Sequence, residues 1–322
     1  METRDAQNRL EPTGKVLSSE GPRSPLVSYI VPFFNGSAHL AETLGSILAQ
    51  TYSEIEVVVV DDGSDEPCAP ITDPLGPRVR VIRTVNHGVS GARNVGLAAA
   101  RGDFVTFLDQ DDLVYPPHAE LLGGAMRSDP EVDGAFCSVV ILRDGLAPKE
   151  QAFCRYDSPL ELFKTRMTLS MGALMFRRSA LVGLGGFDLT FNNVGEDWDF
   201  CLRFARFRRL EYVAEPLFGF RRHRSQASWG ADRMAQGALS VLQKHRLCDG
   251  PGALTSLEAR RARAGIMGYW AQWYRASLKS AGLWSRRTPA LLGHLLTHPG
   301  LLRYIVAPPL KRIAMGGRRR TD

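Results

Sequence analysis

Residues 55–65 read IEVVVVDDGSD, and this stretch decides the fold class. An almost unbroken β-branched run extends from Ile55 to Val60, and a strand that is apolar on both faces fits the interior of a parallel sheet. The run ends in Asp-Asp-Gly-Ser, a combination typical of turns. The sequence therefore predicts a buried parallel strand that ends in a polar turn.

The segments on either side repeat a pattern of strand, turn and helix. The predicted strands are VSYIV at 27–31, VRVIR at 79–83 and DFVTFLD at 103–109, and helical periodicity follows the first two, at 40–48 and 89–100. Pro116 stands where a third helix would begin. Further along, we expect strands at 132–142 and 170–176, a turn at GGFD (185–188) and a helix at 195–207. This alternation predicts an α/β fold with a Rossmann-like, mostly parallel sheet flanked by helices.

Composition sets the broad class of the protein. A chain of 322 residues with 44% hydrophobic residues can bury one large domain, placed here at 26–230, plus an extension. The five cysteines are scattered and form no CxxC pair, which argues against a disulfide framework and indicates a reducing, cytoplasmic setting. Residues 1–25 lack the apolar core of a signal peptide, and we expect a disordered arm there.

The formal net charge of +6 is unevenly distributed. Arginine and lysine are frequent from residue 286 to the end, and we expect residues 231–322 to form a helical, basic C-terminal region. Basic and aromatic residues mix in this tail and no nucleic-acid-binding motif accompanies them, so nucleic acid is not expected as a partner. Either the tail lies peripherally on the inner face of a membrane, bound to anionic headgroups, or a helical lid packs on the main domain.

Polar clusters follow three of the predicted strands. They are PFFN at 32–35, DDGSD at 61–65 and DQDD at 109–112. Ligands of open α/β sheets bind at the carboxyl ends of the strands. We therefore expect the three clusters to converge on one crevice.

The DQDD cluster places Asp109, Asp111 and Asp112 close together. Neighbouring carboxylates repel one another unless a cation supplies the opposite charge, and Mg²⁺ or Mn²⁺ prefers such oxygen ligands. The alternative is an ordinary acidic turn or a cap for the helix near Pro116. His223, in FRRHRS, either completes a metal shell or is a surface residue.

Two further stretches carry possible ligands for an anion or a base. In NHGVSGARNVGL, residues 86–97, Arg93 and Asn94 offer donors beside the amides of a helix start, where anions bind. In DDGSD, Asp61 or Asp62 can accept a hydrogen bond from the imide of a base. A plain turn, with a small-residue helix packed on the sheet, is the alternative for both stretches.

The stretch GEDWDF, residues 195–200, places acidic residues in the first turn of a helix. The helix dipole alone favours Glu196 and Asp197 there, but either carboxylate can also remove a proton from a substrate hydroxyl. Asp199 is interpreted as structural, paired with Arg203 four residues later.

Taken in order, the motifs resemble those of the family 2 glycosyltransferases of the GT-A fold. They are VPFFN, VVVVDDGS, NHGVSGARNVGL, FLDQDD, GGFD with GEDWDF, and FRRHRS, and they cover roughly residues 27–225. The resemblance implies that a divalent metal bridges the diphosphate of a nucleotide sugar to the aspartates. By position, it implies that Pro32, Phe34 and Asn35 line the nucleotide site and that Asp62 faces the base. Arg93 and Asn94 would lie near the base or diphosphate, and Asp109 would approach the ribose. Asp111 is the implied metal ligand, with Asp109 and Asp112 as further candidate ligands.

The resemblance also implies a reaction. Asp197 is the expected catalytic base, with Glu196 as its rival, and a single displacement inverts the anomeric carbon. A UDP-sugar is the favoured donor and a sugar or lipid-linked hydroxyl the acceptor, in polysaccharide or glycolipid assembly. The QxxRW motif of processive synthases is absent, which indicates a non-processive enzyme. Nucleotidyl or phosphoryl transfer and non-catalytic nucleotide-sugar binding are the alternatives.

Overall fold

The computed structural model describes residues 23–143, 145–151, 170–191, 194–223, 231–247 and 255–264. Its sheet is built around the predicted central strand β2, Ile55–Asp61, in which every residue except Glu56 is buried. On one side β2 pairs with β3, Val79–Arg83, and on the other with β1, Val27–Phe33, which continues to β4, Phe104–Phe107. All of these pairings are parallel, as predicted.

The second half of the sheet is mixed. Its strands are β5, Leu113–Val114; β6, Gly134–Arg143; β7, Leu146–Gln151; β8, Leu174–Arg177; and β9, Leu210–Arg222. The strand order is β3-β2-β1-β4-β8-β6-β9-β5, with β7 paired to β6. Because β8 is antiparallel to both β4 and β6, β6 runs in the direction of β4, and β9 is parallel to β6. The carboxyl ends of β1, β2, β4, β6 and β9 therefore lie at the same edge.

Helices cover both faces of the sheet. They are α1, Ser37–Leu48; α2, Ala69–Thr72; α3, Gly88–Ala99; α4, His118–Ser128; α5, Arg178–Val182; α6, Glu196–Phe207; α7, Ala231–Leu247; and α8, 256–264. Gly96 of α3 lies so close to Ile30 that a Cβ at this position would overlap the Ile30 side chain. His118 of α4 contacts Tyr29, which points to the opposite face because successive residues of a strand alternate. The predicted α/β class is thus confirmed.

The predicted strand at 170–176 begins later than expected. Residues Met171–Ala173 form a 3-10 turn, and the strand starts at Leu174. The carbonyl of Gly172 turns toward the His118 ring, and the Phe218 ring packs where a Gly172 side chain would lie. These tertiary contacts bend the backbone before the ladder to β4 begins.

The described part of the C-terminal region packs on the main domain. Helices α7 and α8 contribute Ala238, Val241, Leu242, Ala259 and Ala262 to the buried core. Within the described residues no helix combines the length and apolar character needed to cross a membrane. The predicted N-terminal arm and the basic tail from residue 286 fall outside the residues that the structure describes, and the boundary near residue 230 stays a prediction.

Candidate active site

The loops after β1 and β2 are joined by reciprocal hydrogen bonds at the carboxyl edge of the sheet. The Asn35 amide Nδ2 donates to Asp65 at 3.0 Å, and the Asp65 backbone N–H donates to Asn35 Oδ1 at 2.9 Å. The Asn35 backbone N–H also donates to Ser64 Oγ. Asn35 adopts a positive φ of 48°, which asparagine tolerates better than most residues. The two predicted clusters therefore form one continuous wall.

Gln110, inside the DQDD cluster, joins that wall to the loop after β4. Its side chain accepts from the Phe34 N–H at 2.9 Å and donates to the Phe34 carbonyl at 3.3 Å. A Cβ at Gly36 would overlap the Gln110 amide, so a larger residue there would displace this side chain from its contacts with Phe34. The Phe34 side chain remains exposed at the rim, whereas Pro32 is buried within β1.

The two aspartates that follow β2 have different environments. Asp61 is fully engaged: its carboxylate accepts from Arg83 at 3.0 Å and from the Ser64 N–H at 2.9 Å. Asp62 Oδ1 accepts from the His87 N–H at 2.9 Å, and its other oxygen has no partner among the described residues. The sequence left open whether Asp61 or Asp62 would bind a base. Asp62 is the one with a carboxylate oxygen that is available for a ligand.

Arg93 lies inside the protein and connects two of the predicted motifs. Its guanidinium donates to Asp109 at 2.8 Å and to Glu196 at 3.0 Å, and it lies 5.2 Å from the centre of the Phe187 ring. Burial acts to lower the pKa of Arg93, but Asp109 and Glu196 outweigh it and raise that pKa above its ordinary value. The guanidinium thus holds the DQDD loop against the start of α6.

Asn94 is used by the GGFD turn. Its Nδ2 donates to the Phe187 carbonyl at 2.9 Å, and its Oδ1 accepts from the Phe187 N–H at 2.7 Å. Gly186, with a φ of 71°, brings the turn against this amide. The structure therefore places Asn94 as the link between α3 and the turn that precedes α6.

The three carboxylates of DQDD have different partners. Asp109 is paired with Arg93, Asp111 Oδ2 lies 2.8 Å from His223 Nε2, and the buried Asp112 accepts from the Arg221 backbone N–H at 2.9 Å. Burial, followed by the charges of Asp109 and Asp111, raises the pKa of Asp112 well above its ordinary value. Arg221 also donates through Nε to the Asp111 carbonyl, which fixes the loop to β9.

Among the described residues, Asp111 and His223 could together hold a divalent ion, since their side chains lie 2.8 Å apart. Across the described ranges, no three His, Cys, Asp or Glu side chains cluster as a ready-made cation site. A hard ion that is bound chiefly through substrate phosphates and water needs only one or two protein ligands. The adjacent carboxylate and imidazole fit that requirement, whereas Asp112 is turned toward β9 and Asp109 toward Arg93.

Glu196 and Asp197 begin helix α6, directly after Gly195, which has a φ of 89°. Glu196 Oε1 binds Arg93, and its buried Oε2 has no partner in the described part of the chain. The Asp197 carboxylate is half-buried and accepts from the Trp198 N–H at 2.7 Å. Burial and the Glu196 charge raise the pKa of Asp197 to about 7, against the lowering effect of Arg93. A carboxylate with such a pKa can accept and release protons near neutral pH.

Aromatic rings pack the GGFD turn against helix α6 and strand β4. The Phe187 and Phe200 rings stack 4.2 Å apart, and Phe107 of β4 packs edge-on against Phe187. The organising roles of Phe187, Gln110 and Arg221 were not predicted from the sequence. Only the position of Gln110 inside DQDD and of Phe187 inside GGFD could have drawn attention to them.

The sequence and the fold of the chain resemble those of known proteins. Residues 28–184 match the family described as Glycosyl transferase family 2. The predicted resemblance to the family 2 glycosyltransferases is thereby confirmed. An uncharacterized glycosyltransferase of Rickettsia typhi is 28% identical over 217 residues, and the alignment covers 64% of this chain and 66% of the relative, slightly less than two thirds of its length.

Solved glycosyltransferase structures have the same fold. The Staphylococcus aureus TarS 1–349 structure in complex with UDP-GlcNAc gives a TM-score of 0.63 at 19% identity, covering 87% of this chain and 81% of that one. The Pyrobaculum calidifontis mannosyltransferase PcManGT, in complex with GDP-Man and Mn²⁺, gives a TM-score of 0.58 at 20% identity, covering 88% and 84%. The predicted GT-A fold is thereby confirmed.

Proposed function

We propose that the protein is an inverting, divalent-metal-dependent glycosyltransferase that moves a sugar from a nucleotide-diphosphate sugar to a hydroxyl acceptor. One observation carries this proposal: Arg93 binds both Asp109 of the DQDD loop and Glu196, the neighbour of Asp197. The side chains that would hold the donor and the carboxylate that would take the proton are therefore fixed in one unit.

The donor would lie along the wall formed after β1 and β2. Asp62 has an oxygen available for the imide N–H of a base, and the exposed Phe34 ring offers an apolar surface beside it. Asn35 shapes the loop between them. A uracil base presents such an imide, so a UDP-sugar is the favoured donor; relatives of this fold were solved with UDP-GlcNAc and with GDP-Man.

Asp111 and His223 would hold Mn²⁺ or Mg²⁺, with Asp109 and Asp112 as the other carboxylates of the loop. When bound, the ion neutralises charge on the departing nucleoside diphosphate. A Mn²⁺ complex is known for PcManGT. In the present arrangement Asp109 supports the site through Arg93, and Asp112 supports it through β9.

Asp197 would act as the base. As the acceptor oxygen bonds to the anomeric carbon, the bond from that carbon to the diphosphate oxygen breaks, and the acceptor proton passes to the Asp197 carboxylate. A single displacement of this kind inverts the anomeric configuration, through a transition state with oxocarbenium character. Glu196 is less suited to this role because Arg93 already occupies one of its oxygens.

The acceptor is proposed to be a sugar or a lipid-linked hydroxyl in polysaccharide or glycolipid assembly, and a single sugar is transferred at each encounter.

The basic tail would contact the inner face of the membrane. Liposome flotation of the full chain and of a variant lacking residues 286–322 tests this contact. Anionic vesicles should recover the full chain and lose the shortened one, and equal recovery of both would exclude a role for the tail.

Release of nucleoside diphosphate from UDP- and GDP-sugars, with Mn²⁺ and simple acceptor sugars, tests the reaction itself. Inverted product configuration by NMR, loss of activity in Asp111→Ala and loss in Asp197→Asn are expected. Full activity in Asp197→Asn would favour phosphoryl or nucleotidyl transfer instead. Donor binding without any turnover would favour a binding protein.

A further inference from the structure

Helices α6 and α7 both lie outside residues 28–184, which match the family, and α7 packs directly on the start of α6. A Cβ at Gly237 would come 2.5 Å from the Val194 carbonyl oxygen, and a Cβ at Gly195 would come 2.9 Å from Val241. Real Cβ atoms do not approach this closely, so both positions require glycine. The two backbones meet directly before the residue pair Glu196 and Asp197.

Lys244 of α7 bridges two segments of the candidate active site. Its Nζ lies 2.7 Å from Asp188, in the GGFD turn, and 2.8 Å from Asp199, in α6. It also lies 5.1 Å from the centre of the Phe191 ring. Against the effect of burial, Lys244 and the hydrogen bonds from Thr190 lower the pKa of Asp188 to about 2. Asp188 is thus ionised, and the bridge is an ion pair, over the whole pH range in which the enzyme would work.

His245 completes the same contact from the next position of α7. Its Nε2 lies 2.9 Å from Asp199, a carboxylate that is completely buried. Arg203 binds Asp199 from α6 at 2.8 Å and donates to the carbonyls of Leu184 and Gly186. Burial alone would raise the pKa of Asp199, but His245, Arg203 and Lys244 lower it. Asp199 is therefore the point at which α6, the turn and α7 are tied together.

We propose that Lys244 and His245 are positioning residues for the catalytic carboxylates of α6. They hold the GGFD turn and the first turns of α6 in one orientation, and this orientation decides where Asp197 lies relative to the acceptor. The inference rests on the proposed function in so far as Asp197 is the base. It assigns part of the active-site machinery to the C-terminal region.

The contacts predict which kinetic constant changes. The contacts that Lys244 and His245 make with other described residues go to Asp188, Asp199 and Phe191, whereas the proposed donor-binding groups lie on β1, β2, α3 and the DQDD loop. A shift of about 1 Å in a catalytic group can lower the rate roughly 100-fold. Loss of the bridge should therefore lower kcat and leave the KM for the donor nearly unchanged.

The experiment compares single and double variants of the full chain. Lys244→Met removes the bridge, Lys244→Arg preserves its charge, Asp188→Asn removes one partner, and Arg209→Met removes an ion pair with Asp129 elsewhere in the structure as the matched control. Nucleoside-diphosphate release from UDP-GlcNAc, UDP-glucose and GDP-mannose with Mn²⁺ gives kcat and KM. Hydrogen exchange of the peptide spanning 194–200 reports how firmly this segment is held in its folded position, without any donor.

We expect Lys244→Met to lower kcat 10- to 100-fold with less than a twofold change in KM, and Lys244→Arg to recover most of that loss. Exchange at 194–200 should become at least tenfold faster in Lys244→Met and Asp188→Asn but not in Arg209→Met. Combining Lys244→Met with Asp188→Asn should add little, because both remove the same bridge. His245→Gln, which keeps a donor for Asp199, should retain more activity than His245→Leu.

Unchanged kcat and exchange in Lys244→Met would overturn the inference. An equal loss in Lys244→Met and Lys244→Arg, with KM rising in parallel, would also overturn it, since that pattern indicates general damage. An active Asp197→Asn enzyme would refute the proposed base without altering the exchange result. If the wild type turns over none of the three donors, the exchange comparison alone decides.

Discussion

Arg93 and Glu196 form a buried ion pair, with Nη1 and Oε1 3.0 Å apart, although 103 positions separate them in the sequence. The same guanidinium binds Asp109, which follows β4. Three segments of the chain therefore meet at one cation. The guanidinium that pairs with Glu196 in the interior thus also positions the loop proposed to hold the donor.

Replacing Arg93 by methionine should destabilise the protein strongly. The substitution leaves Glu196 buried without its partner, and removing one member of a buried pair costs about 3–5 kcal/mol. Urea unfolding measures this loss. Arg209→Met, which breaks an exposed pair, should cost at most about 1 kcal/mol. If Arg93→Met and Arg209→Met unfold at similar urea concentrations, the buried pair does not stabilise the protein more than the exposed one.

Activity should rise with pH through about 7, because the proposed base must be ionised and the pKa of Asp197 is raised to about 7. Stability should respond in the opposite sense. Between the ordinary carboxyl pKa of 3.8 and about 7, the native state holds a proton that the unfolded chain has released, so this group lowers stability as pH rises.

Asp197→Asn separates these effects. The variant should lose roughly 100- to 10,000-fold in kcat, as is usual when a general base is removed. The stability of the variant should also fall less between pH 4 and 7 than that of the wild type, because the contribution of Asp197 to this decline is removed. Rate profiles and unfolding midpoints over that range give both results, and a rate profile that Asp197→Asn leaves unchanged would assign the base to another group.

Removal of divalent metal should abolish transfer, and Asp111 and His223 should set the concentration of Mn²⁺ required. Their side chains lie 2.8 Å apart at the edge of the DQDD loop. His223→Gln should raise the half-saturating Mn²⁺ concentration roughly 10- to 100-fold, whether the imidazole binds the ion or orients Asp111. Titration of the EDTA-treated enzyme with Mn²⁺ measures the change, and an unaltered curve in both Asp111→Ala and His223→Gln would place the ion elsewhere.

Local patterns predicted the parallel half of the fold well. VRVIR forms β3 over the predicted residues, and the run from Ile55 to Val60 is the central strand, because burial on both faces imposes its own composition. The strand expected at 170–176 was misplaced at its start, since the contacts of Gly172 with His118 and Phe218 come from distant parts of the chain.

The loops that form the site could be predicted from the sequence, but the contacts between their side chains could not. Strand ends located Asp109, Asp62 and Asn35, since parallel strands share an edge. That Arg93 would face two carboxylates, or that Asn94 would bind the Phe187 backbone, depends on how α3 and α6 pack together. Spacing along the sequence carries no such information.

The buried His118 should make the protein less stable in acid. Its Nδ1 lies 2.9 Å from the Tyr29 hydroxyl and its Nε2 lies 3.1 Å from the Gly172 carbonyl. The carbonyl can only accept, so Nε2 carries the proton, and the neutral ring accepts at Nδ1 from Tyr29. Burial lowers the pKa of His118 from 6.5 to about 4.

The unfolded chain therefore binds a proton between pH 6.5 and 4 that the native state does not, and the contribution of His118 to stability falls as pH falls through this window. In His118→Asn, which cannot take up that proton, the unfolding midpoint in urea should depend less on pH over this range, although the variant should be less stable at pH 7. Comparing wild type with His118→Asn cancels the opposite contribution of Asp197, which both proteins share. If the difference in stability between the two proteins is the same at pH 4.5 and pH 7, His118 is not the group that responds to acid.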